Sequence, residues 1–269
     1  MPAVVFGQST DGWELEAPSG SVQLISVGQS VMANFANFSF KNISGKAILE
    51  FWIDTGHGSM NGIDAFTIGR GGIAPDASFG ADFDTRSLSF VDNNTKKLHV
   101  AAIVFADGSE VGSLKAIGML ENEMLGVALE TQRISNLLLA RPDASFSGYD
   151  NVLESISSKL PQTDYEAAEA LKGMALPGIS QAYVNERLAR PEPGLMVGVI
   201  RARQFILTEI NKVKLADARE MAGTRDQQLG ALKSRAHALS DLAQKYSARS
   251  DLQARYIKAI SRASNASPR

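Results

Sequence analysis

The amino-acid sequence predicts an α+β protein in which an N-terminal β-sandwich precedes an all-helical C-terminal region. Short apolar runs that alternate in twos fill the first part, and turn residues separate them at intervals of about 8–12 residues. From Leu114 onward the apolar residues recur at helical spacing. Proline and glycine breaks then divide the remaining chain, so the predicted regions are 1–113, 114–190 and 191–269.

The first region contains seven strands predicted from period-two alternation. They are Ser21–Val27, Phe35–Lys41, Lys46–Asp54, Ile63–Arg70, Ser87–Val91, Leu98–Phe105 and Glu110–Gly112. One face of the third strand is uniformly apolar and is expected to point into the core, and it comprises Ala47, Leu49, Phe51 and Ile53. The segment Gly69–Asp84 is rich in glycine and proline, so we expect a long surface loop there.

The second region contains four predicted helices. The first begins near Leu114 and ends before the Arg-Pro-Asp sequence at 141–143, and the second covers Tyr149–Leu160. A capping box formed by Thr163 and Glu166 opens the third. The fourth ends near Arg190 and is followed by the linker Pro-Glu-Pro-Gly at 191–194.

The third region is predicted to form a long helical hairpin, with helices over about 195–222 and 224–263. The second of these helices has an a/d seam of more than two heptads, formed by Leu229, Leu232, Ala236, Leu239, Ala243 and Tyr246. Such a seam needs cover, either from the preceding helix or from a second copy of the chain. The predicted partner-binding residues are therefore Leu229, Leu232, Leu239 and Tyr246 in this seam, with Arg70 and Asp76 in the glycine-rich loop.

Charge is divided unequally along the chain. Residues 201–269 contain 14 Lys and Arg against 6 Asp and Glu, a net charge of +8, whereas residues 1–200 contain 13 against 23, a net charge of −10. Electrostatic binding of nucleic acid or another anionic surface by the basic C-terminal helix is therefore one alternative function. Its basic side chains are scattered around the helix without a recognition-helix pattern, which disfavours nucleic acid as the partner.

Several kinds of chemistry lack their sequence signals. The chain has no cysteine, no P-loop and no Gly-x-Ser-x-Gly elbow. Its three histidines, His57, His99 and His237, form no pair at metal-ligand spacing, so no metal site and no cofactor are predicted. Because a basic leader and a run of about 18 apolar residues are both missing, we expect a cytoplasmic location and no transmembrane segment.

The strongest catalytic candidate is Asp54, in the sequence Asp54-Thr55-Gly56. It follows an apolar strand, a setting that resembles the catalytic loop of retroviral-type aspartic proteases, in which two aspartates share one proton. His57 is close enough in sequence to share a proton or a metal ion with Asp54. That family usually continues with Ala and then Ser or Thr, where this chain has His-Gly-Ser at 57–59. A polar turn explains the same residues more simply, so an aspartic-type hydrolase centred on Asp54 stays an alternative.

The segments 38–48 and 100–112 resemble the strand–turn–strand and the closing hairpin of bacterial immunoglobulin-like β-sandwich proteins of unassigned function. The resemblance covers residues 20–112 and implies an immunoglobulin-like fold for this region, without implying catalytic residues. The leading functional hypothesis is a non-enzymatic binding or assembly protein. In this hypothesis the β-sandwich contacts a protein partner, and the helices mediate homo-oligomerisation.

Overall fold

The computed structural model describes residues 12–31, 34–54, 60–64, 72–84, 90–91, 95–139, 156, 160–204 and 207–208. The described strands are β1 Trp13–Glu16, β2 Val22–Gln29, β3 Phe35–Asn42, β4 Ile48–Asp54, β5 Met60–Asp64, β6 Ser78–Asp84, β7 Phe90–Val91, β8 Thr95–Phe105 and β9 Glu110–Gly112. The described helices are α1 Leu114–Leu139, α2 Asp164–Ala170, α3 Gln181–Ala189 and α4, over residues 195–204. These residues belong to two compact units, a strand unit up to Leu120 and a helical unit from Glu121 onward.

The strand unit contains two sheets. The larger has the order β1-β8-β4-β5, and β7 and β9 also pair with β8. β1 runs parallel to β8, whereas the other strand pairs of this sheet are antiparallel. The smaller sheet has the order β2-β3-β6 with antiparallel pairing throughout. β1 is absent from the strands predicted by sequence. β5 begins three residues before the predicted strand Ile63–Arg70, of which residues 65–70 lie outside the described part of the chain.

Both sheets contribute side chains to one hydrophobic core. Phe38 and Phe40 of the smaller sheet are fully buried, as is Phe51 of the larger sheet. The ring centroids of Phe40 and Phe51 are 5.9 Å apart, and those of Trp13 and Phe38 are 4.9 Å apart, in edge-on arrangements that aromatic rings favour. The aromatic residues that alternate along these strands therefore form the contact between the two layers.

A β-bulge decides which residues of β4 face that core. The register between β4 and β8 shifts between Ile48 and Glu50, which leaves Leu49 as the extra residue. Ile48, Phe51 and Ile53 consequently belong to the cluster that both sheets share, whereas Leu49 is buried outside this cluster. The predicted burial of Leu49 is confirmed, but strict alternation does not predict Ile48 beside Phe51 and Ile53, because it assumes a strand without an extra residue.

A second bulge in β8 explains a glycine in β9. Ala101 is the extra residue there, between Val100 and Ala102. Gly112 packs against this bulge with φ at +131°, and a Cβ atom added to it would lie 2.3 Å from the carbonyl oxygen of Ala101. Both the backbone conformation and the close approach therefore require glycine at position 112.

The predicted surface loop Gly69–Asp84 is wrong for its second half, because residues 78–84 form β6. Phe79, Ala81 and Phe83 alternate in this strand and pack against the core, and β6 pairs with β3 over its whole length. The intervening serine, glycine and aspartate give the segment a loop-like composition. β6 tolerates such residues because only the side chains that face the core need to be apolar, and the intervening side chains point to the other face of the sheet.

Asn42 ties the remaining part of this segment to the turn between β3 and β4. Its side chain is fully buried, and its amide group donates to the carbonyl oxygens of Lys46, Ile73 and Ala74 at 2.7, 2.8 and 3.1 Å. Its amide oxygen accepts hydrogen bonds from the backbone N–H and the hydroxyl of Ser44. One buried side chain thus joins three backbone carbonyls, each of which also accepts a second hydrogen bond, from Ser44, Ile48 or Ala77.

α2 begins with the predicted capping box and also caps a second helix. The hydroxyl of Thr163 accepts the N–H of Glu166 at 3.2 Å, and the Glu166 carboxylate accepts the N–H of Gln162 at 2.9 Å. The Asp164 carboxylate accepts the N–H of Met196, in the first turn of α4, at 2.8 Å. A negative charge at this position also favours the α4 dipole. α2 therefore fixes where α4 begins.

The observed elements confirm the α+β class and the order of strands before helices. The second helix of the predicted hairpin, with its seam residues, lies outside the described residues, and its first helix is described only over 195–204 and 207–208. The predicted helix over 149–160 also lies outside them except for residues 156 and 160. The immunoglobulin-like type and the three-region division stay predictions. No helix in the described part of the chain has the length and apolar character needed to cross a bilayer.

Candidate functional site: a recess on buried ion pairs

The middle of α1, in the helical unit, is buried on all sides. Every residue from Asn122 to Thr131 has less than a tenth of its surface exposed. A helix buried in this way should be apolar all round, yet its polar residues include Glu123 and Glu130. Because a buried carboxylate is costly unless it is paired, these two residues need partners from neighbouring segments.

α1 and α4 approach each other closely at two glycines. A Cβ atom added to Gly126 would lie 2.4 Å from the carbonyl oxygen of Leu195. One added to Gly198 would lie 2.1 Å from the carbonyl oxygen of Glu123 and 2.8 Å from the backbone nitrogen of Val127. The two backbones are therefore in direct contact, and no side chain fits between them.

This close approach brings arginines of α4 to the glutamates of α1. The Nη1 atom of Arg201 forms an ion pair with Glu123. Arg203 donates from Nε to Glu130 at 2.8 Å, and its side chain is 5% exposed while that of Glu130 is fully buried. Charge-assisted hydrogen bonds of this kind are stronger than neutral ones, which offsets part of the desolvation cost.

Glu130 contacts a second guanidinium from its own helix. Arg133 donates from Nε and Nη2 to the two carboxylate oxygens, at 2.8 and 2.6 Å. The hydrogen bond to Glu130 raises the pKa of Arg133 above its usual value, against the opposing effect of partial burial. Glu130 therefore links α1 and α4 through one carboxylate held between two arginines.

A recess of about 410 Å³ lies next to this ion-pair cluster. Its lining includes Pro161, Tyr165, Glu166, Glu169, Ala170 and Arg203. Tyr165 is 70% exposed, which is unusual for a large aromatic side chain, whereas the Arg203 side chain is almost completely buried. The volume is within the range of small-molecule and side-chain binding sites. The lining of the recess therefore combines a fixed charged residue with an exposed aromatic ring and two carboxylates.

The chemistry of this arrangement suits recognition. Glu123 and Glu130 are enclosed and hold arginines in place, so their charges serve the packing of α1 on α4. The exposed carboxylates of Glu166 and Glu169 face solvent and can attract a cation. Among the described residues, no group of three or more His, Asp and Glu side chains lies close enough to hold a metal ion.

The catalytic candidate Asp54 lies elsewhere, at the end of β4 in the strand unit. Its Cα pairs with that of His99 in β8 and with that of Met60 in β5. His99 in turn pairs with Glu16 of β1. The structure thus places His99 beside Asp54, while His57 lies outside the described residues.

One of the predicted partner-binding residues is described. Asp76 has a side chain that is 81% exposed and forms an ion pair with Lys41 at 3.0 Å. Its φ of +61° places it in the left-handed region, which aspartate tolerates better than most residues. The other predicted residues lie outside the described part of the chain, and they are Arg70, Leu229, Leu232, Leu239 and Tyr246.

Sequence reasoning missed the ion pairs and the recess, although one signal was present. Glu123 and Glu130 are seven residues apart, on the same helical face as Val127 and Ile134. Two acids that interrupt an apolar face predict buried, paired carboxylates. Arg203, the partner of Glu130 on α4, is 73 positions away, and no local pattern indicates such a pairing.

Comparison with protein-family models, with curated proteins and with solved structures finds no match to this chain. The arguments for function therefore rest on the geometry described above.

Proposed function

We propose that this chain is a non-enzymatic binding and assembly protein whose helical unit presents a recognition surface. The observation that carries this proposal is the recess beside α2, where an exposed Tyr165 lies with surface carboxylates. Exposed aromatic residues with surrounding polar groups are typical of protein-binding surfaces.

The distribution of charge in the helical unit supports recognition over acid–base catalysis. A catalytic acid or base must exchange protons with a substrate, and its pKa is usually matched to that task. Glu123 and Glu130 are buried and paired with arginines, so a substrate in solvent does not reach them. The carboxylates that solvent reaches, Glu166 and Glu169, are suited to attract a partner.

The finer parts of the proposal concern both units. The strand unit would be an immunoglobulin-like sandwich that contacts a partner, and the exposed Ile25 and Ile43 are apolar side chains available for such contacts. The helices would mediate oligomerisation through the seam around Leu232 and Leu239, in a coiled-coil-like hairpin.

Size-exclusion chromatography with light scattering on the full chain tests the assembly part. We expect the native chain to self-associate as its concentration rises, and Leu239→Lys to weaken this association because a charge cannot be buried in an apolar seam. Leu114→Lys is the matched control, since Leu114 is 83% exposed in the strand unit. A monomer at every concentration would contradict assembly.

The hydrolase alternative predicts that Asp54→Asn abolishes peptide cleavage while the fold, followed by circular dichroism, is retained. The proposed function predicts that the native chain cleaves no member of a peptide panel at acidic pH. Cleavage that depends on Asp54 would contradict a non-enzymatic role.

A further inference from the structure

One face of α2 combines an aromatic ring with two carboxylates. Tyr165 and Glu166 are followed one helical turn later by Glu169 and Ala170, and all four line the recess. Residues at this spacing lie on the same side of a helix. Pro161 adds an apolar wall before the helix begins. This surface therefore offers negative charge and a ring face beside apolar contacts.

Two cationic side chains near this surface, Arg203 and Lys172, already form ion pairs, one buried and one exposed. Arg203 is almost completely buried and donates to Glu130. Lys172 contacts Glu169 at 3.3 Å, but both side chains are about three-quarters exposed, at 75% and 74%. Ion pairs between such exposed groups contribute little stability, so an incoming cation can replace Lys172.

We propose that the recess docks a lysine- or arginine-bearing segment of a protein partner, an inference that rests on the proposed binding function. The cation would lie over the Tyr165 ring and between the carboxylates, with its aliphatic stem against Pro161 and Ala170. Such a cation is attracted both by carboxylates and by the face of an aromatic ring.

The same contact already occurs within this chain. The guanidinium of Arg187 lies 5.8 Å from the ring centroid of Tyr183, and the ammonium of Lys46 lies 5.5 Å from that of Phe105. Tyr165 offers an equivalent ring to a partner, because it is mostly exposed.

Fluorescence anisotropy with labelled oligolysine and oligoarginine peptides on the full chain tests the proposal. We expect Glu169→Lys to weaken binding about fivefold to tenfold, because an attractive charge becomes repulsive. Tyr165→Leu keeps an apolar side chain and removes the ring, and should weaken binding about twofold to fivefold. Lys172→Ala should strengthen binding, because it removes the competing cation.

Glu186→Lys is the matched control. Glu186 is an exposed glutamate on α3 and does not belong to the recess lining, and its reversal changes the net charge by the same amount as Glu169→Lys. We expect its effect to stay within about twofold. Equal losses of peptide affinity in the two variants would overturn the proposal. They would show that the net negative charge of residues 1–200 as a whole attracts the peptide. Preferential binding of an oligoglutamate peptide would also overturn it and assign the site to Arg203.

The recess could also be occupied by the chain's own basic segment after residue 208. Carbodiimide cross-linking followed by mass spectrometry distinguishes this segment from a protein partner. A zero-length link between Glu169 and a lysine of that segment in the monomer would show an internal contact and overturn docking of a partner. If the oligolysine peptide does not bind but light scattering still shows self-association, this inference fails while the assembly function stands.

Discussion

The close contact between α1 and α4 predicts an unusual result for Gly198→Ala. In an exposed helix this substitution stabilises by about 1 kcal/mol, because alanine has the higher helix propensity. Here the added Cβ atom would lie 2.1 Å from the Glu123 carbonyl oxygen, whereas ordinary contact begins at 3.4 Å. The helices would have to separate by about 1.3 Å, the difference between these two distances.

That separation would act on backbone that cannot rotate away, and it would stretch the nearby ion pair between Glu123 and Arg201. Overpacking of a well-packed interior costs about 1–3 kcal/mol and occasionally more. Because both clashing groups are backbone, we place the cost at the upper end. After the gain in propensity, Gly198→Ala should lower the free energy of unfolding by about 2 kcal/mol.

Urea unfolding followed by circular dichroism at 222 nm measures this change as a shift of the midpoint at constant slope. Ala182→Gly is the control, because Ala182 is exposed on α3 and the change should cost only the propensity difference of about 1 kcal/mol. A neutral or stabilising Gly198→Ala would refute the inferred backbone contact.

Three further predictions concern buried and surface polar groups, and unfolding experiments check all of them. Glu130→Gln should destabilise by about 3–5 kcal/mol because it leaves Arg203 buried without its counter-charge, and Glu130→Leu with Arg203→Met should cost less than that single change. Asn42→Ala should cost about 1–3 kcal/mol, because three backbone carbonyls each lose one of two donors and the N–H of Ser44 loses its acceptor. Hydrogen bonds from Lys46 and from Ser109 lower the pKa of Asp107 from 3.8 to about 2. The ionised Asp107 therefore stabilises the folded state above pH 3.8, and this contribution is lost as the pH falls through 2. Because Lys46 and Asp107 are both about half exposed, the contribution should stay below about 1 kcal/mol.

Each of these predictions has an outcome that would contradict it. If Glu130→Leu with Arg203→Met lowers the free energy of unfolding as much as Glu130→Gln does, the lost stability comes from altered packing and not from an unpaired buried charge. If Asn42→Asp is as stable as the native chain, the amide donors are unimportant, since aspartate keeps the acceptor and removes them. If Asp107→Asn leaves the acid dependence between pH 4 and 2 unchanged, the contact with Lys46 does not stabilise the folded state.

Local patterns predicted much of the fold because they act within a few residues. The capping box at Thr163 and the start of α1 at Leu114 depend on neighbouring residues and are confirmed. The burial of Leu49, Phe51 and Ile53 in β4 was predicted correctly, but the bulge at Leu49 was not predicted, since it depends on pairing with β8. β6 was missed because its outward residues resemble a loop.

The candidate site was harder to predict because its residues are distant in sequence. Tyr165 and Glu169 belong to no recognisable sequence motif. They line a recess only because the fold brings Arg203 and Pro161 beside them. The acids on the apolar face of α1 were not recognised as buried pairs, and the identity of their arginine partners depends on how α4 crosses α1. Asp54 attracted attention because a three-residue motif is visible without any tertiary context.

The parallel pairing of β1 with β8 has a consequence for synthesis on the ribosome. Trp13 pairs with Lys96, so the first strand leaves the exit tunnel long before its neighbour exists. Non-local pairings of this kind slow folding, and an unpaired strand edge in the meantime is open to association with other nascent chains. The larger sheet is therefore completed only when most of the strand unit has been translated.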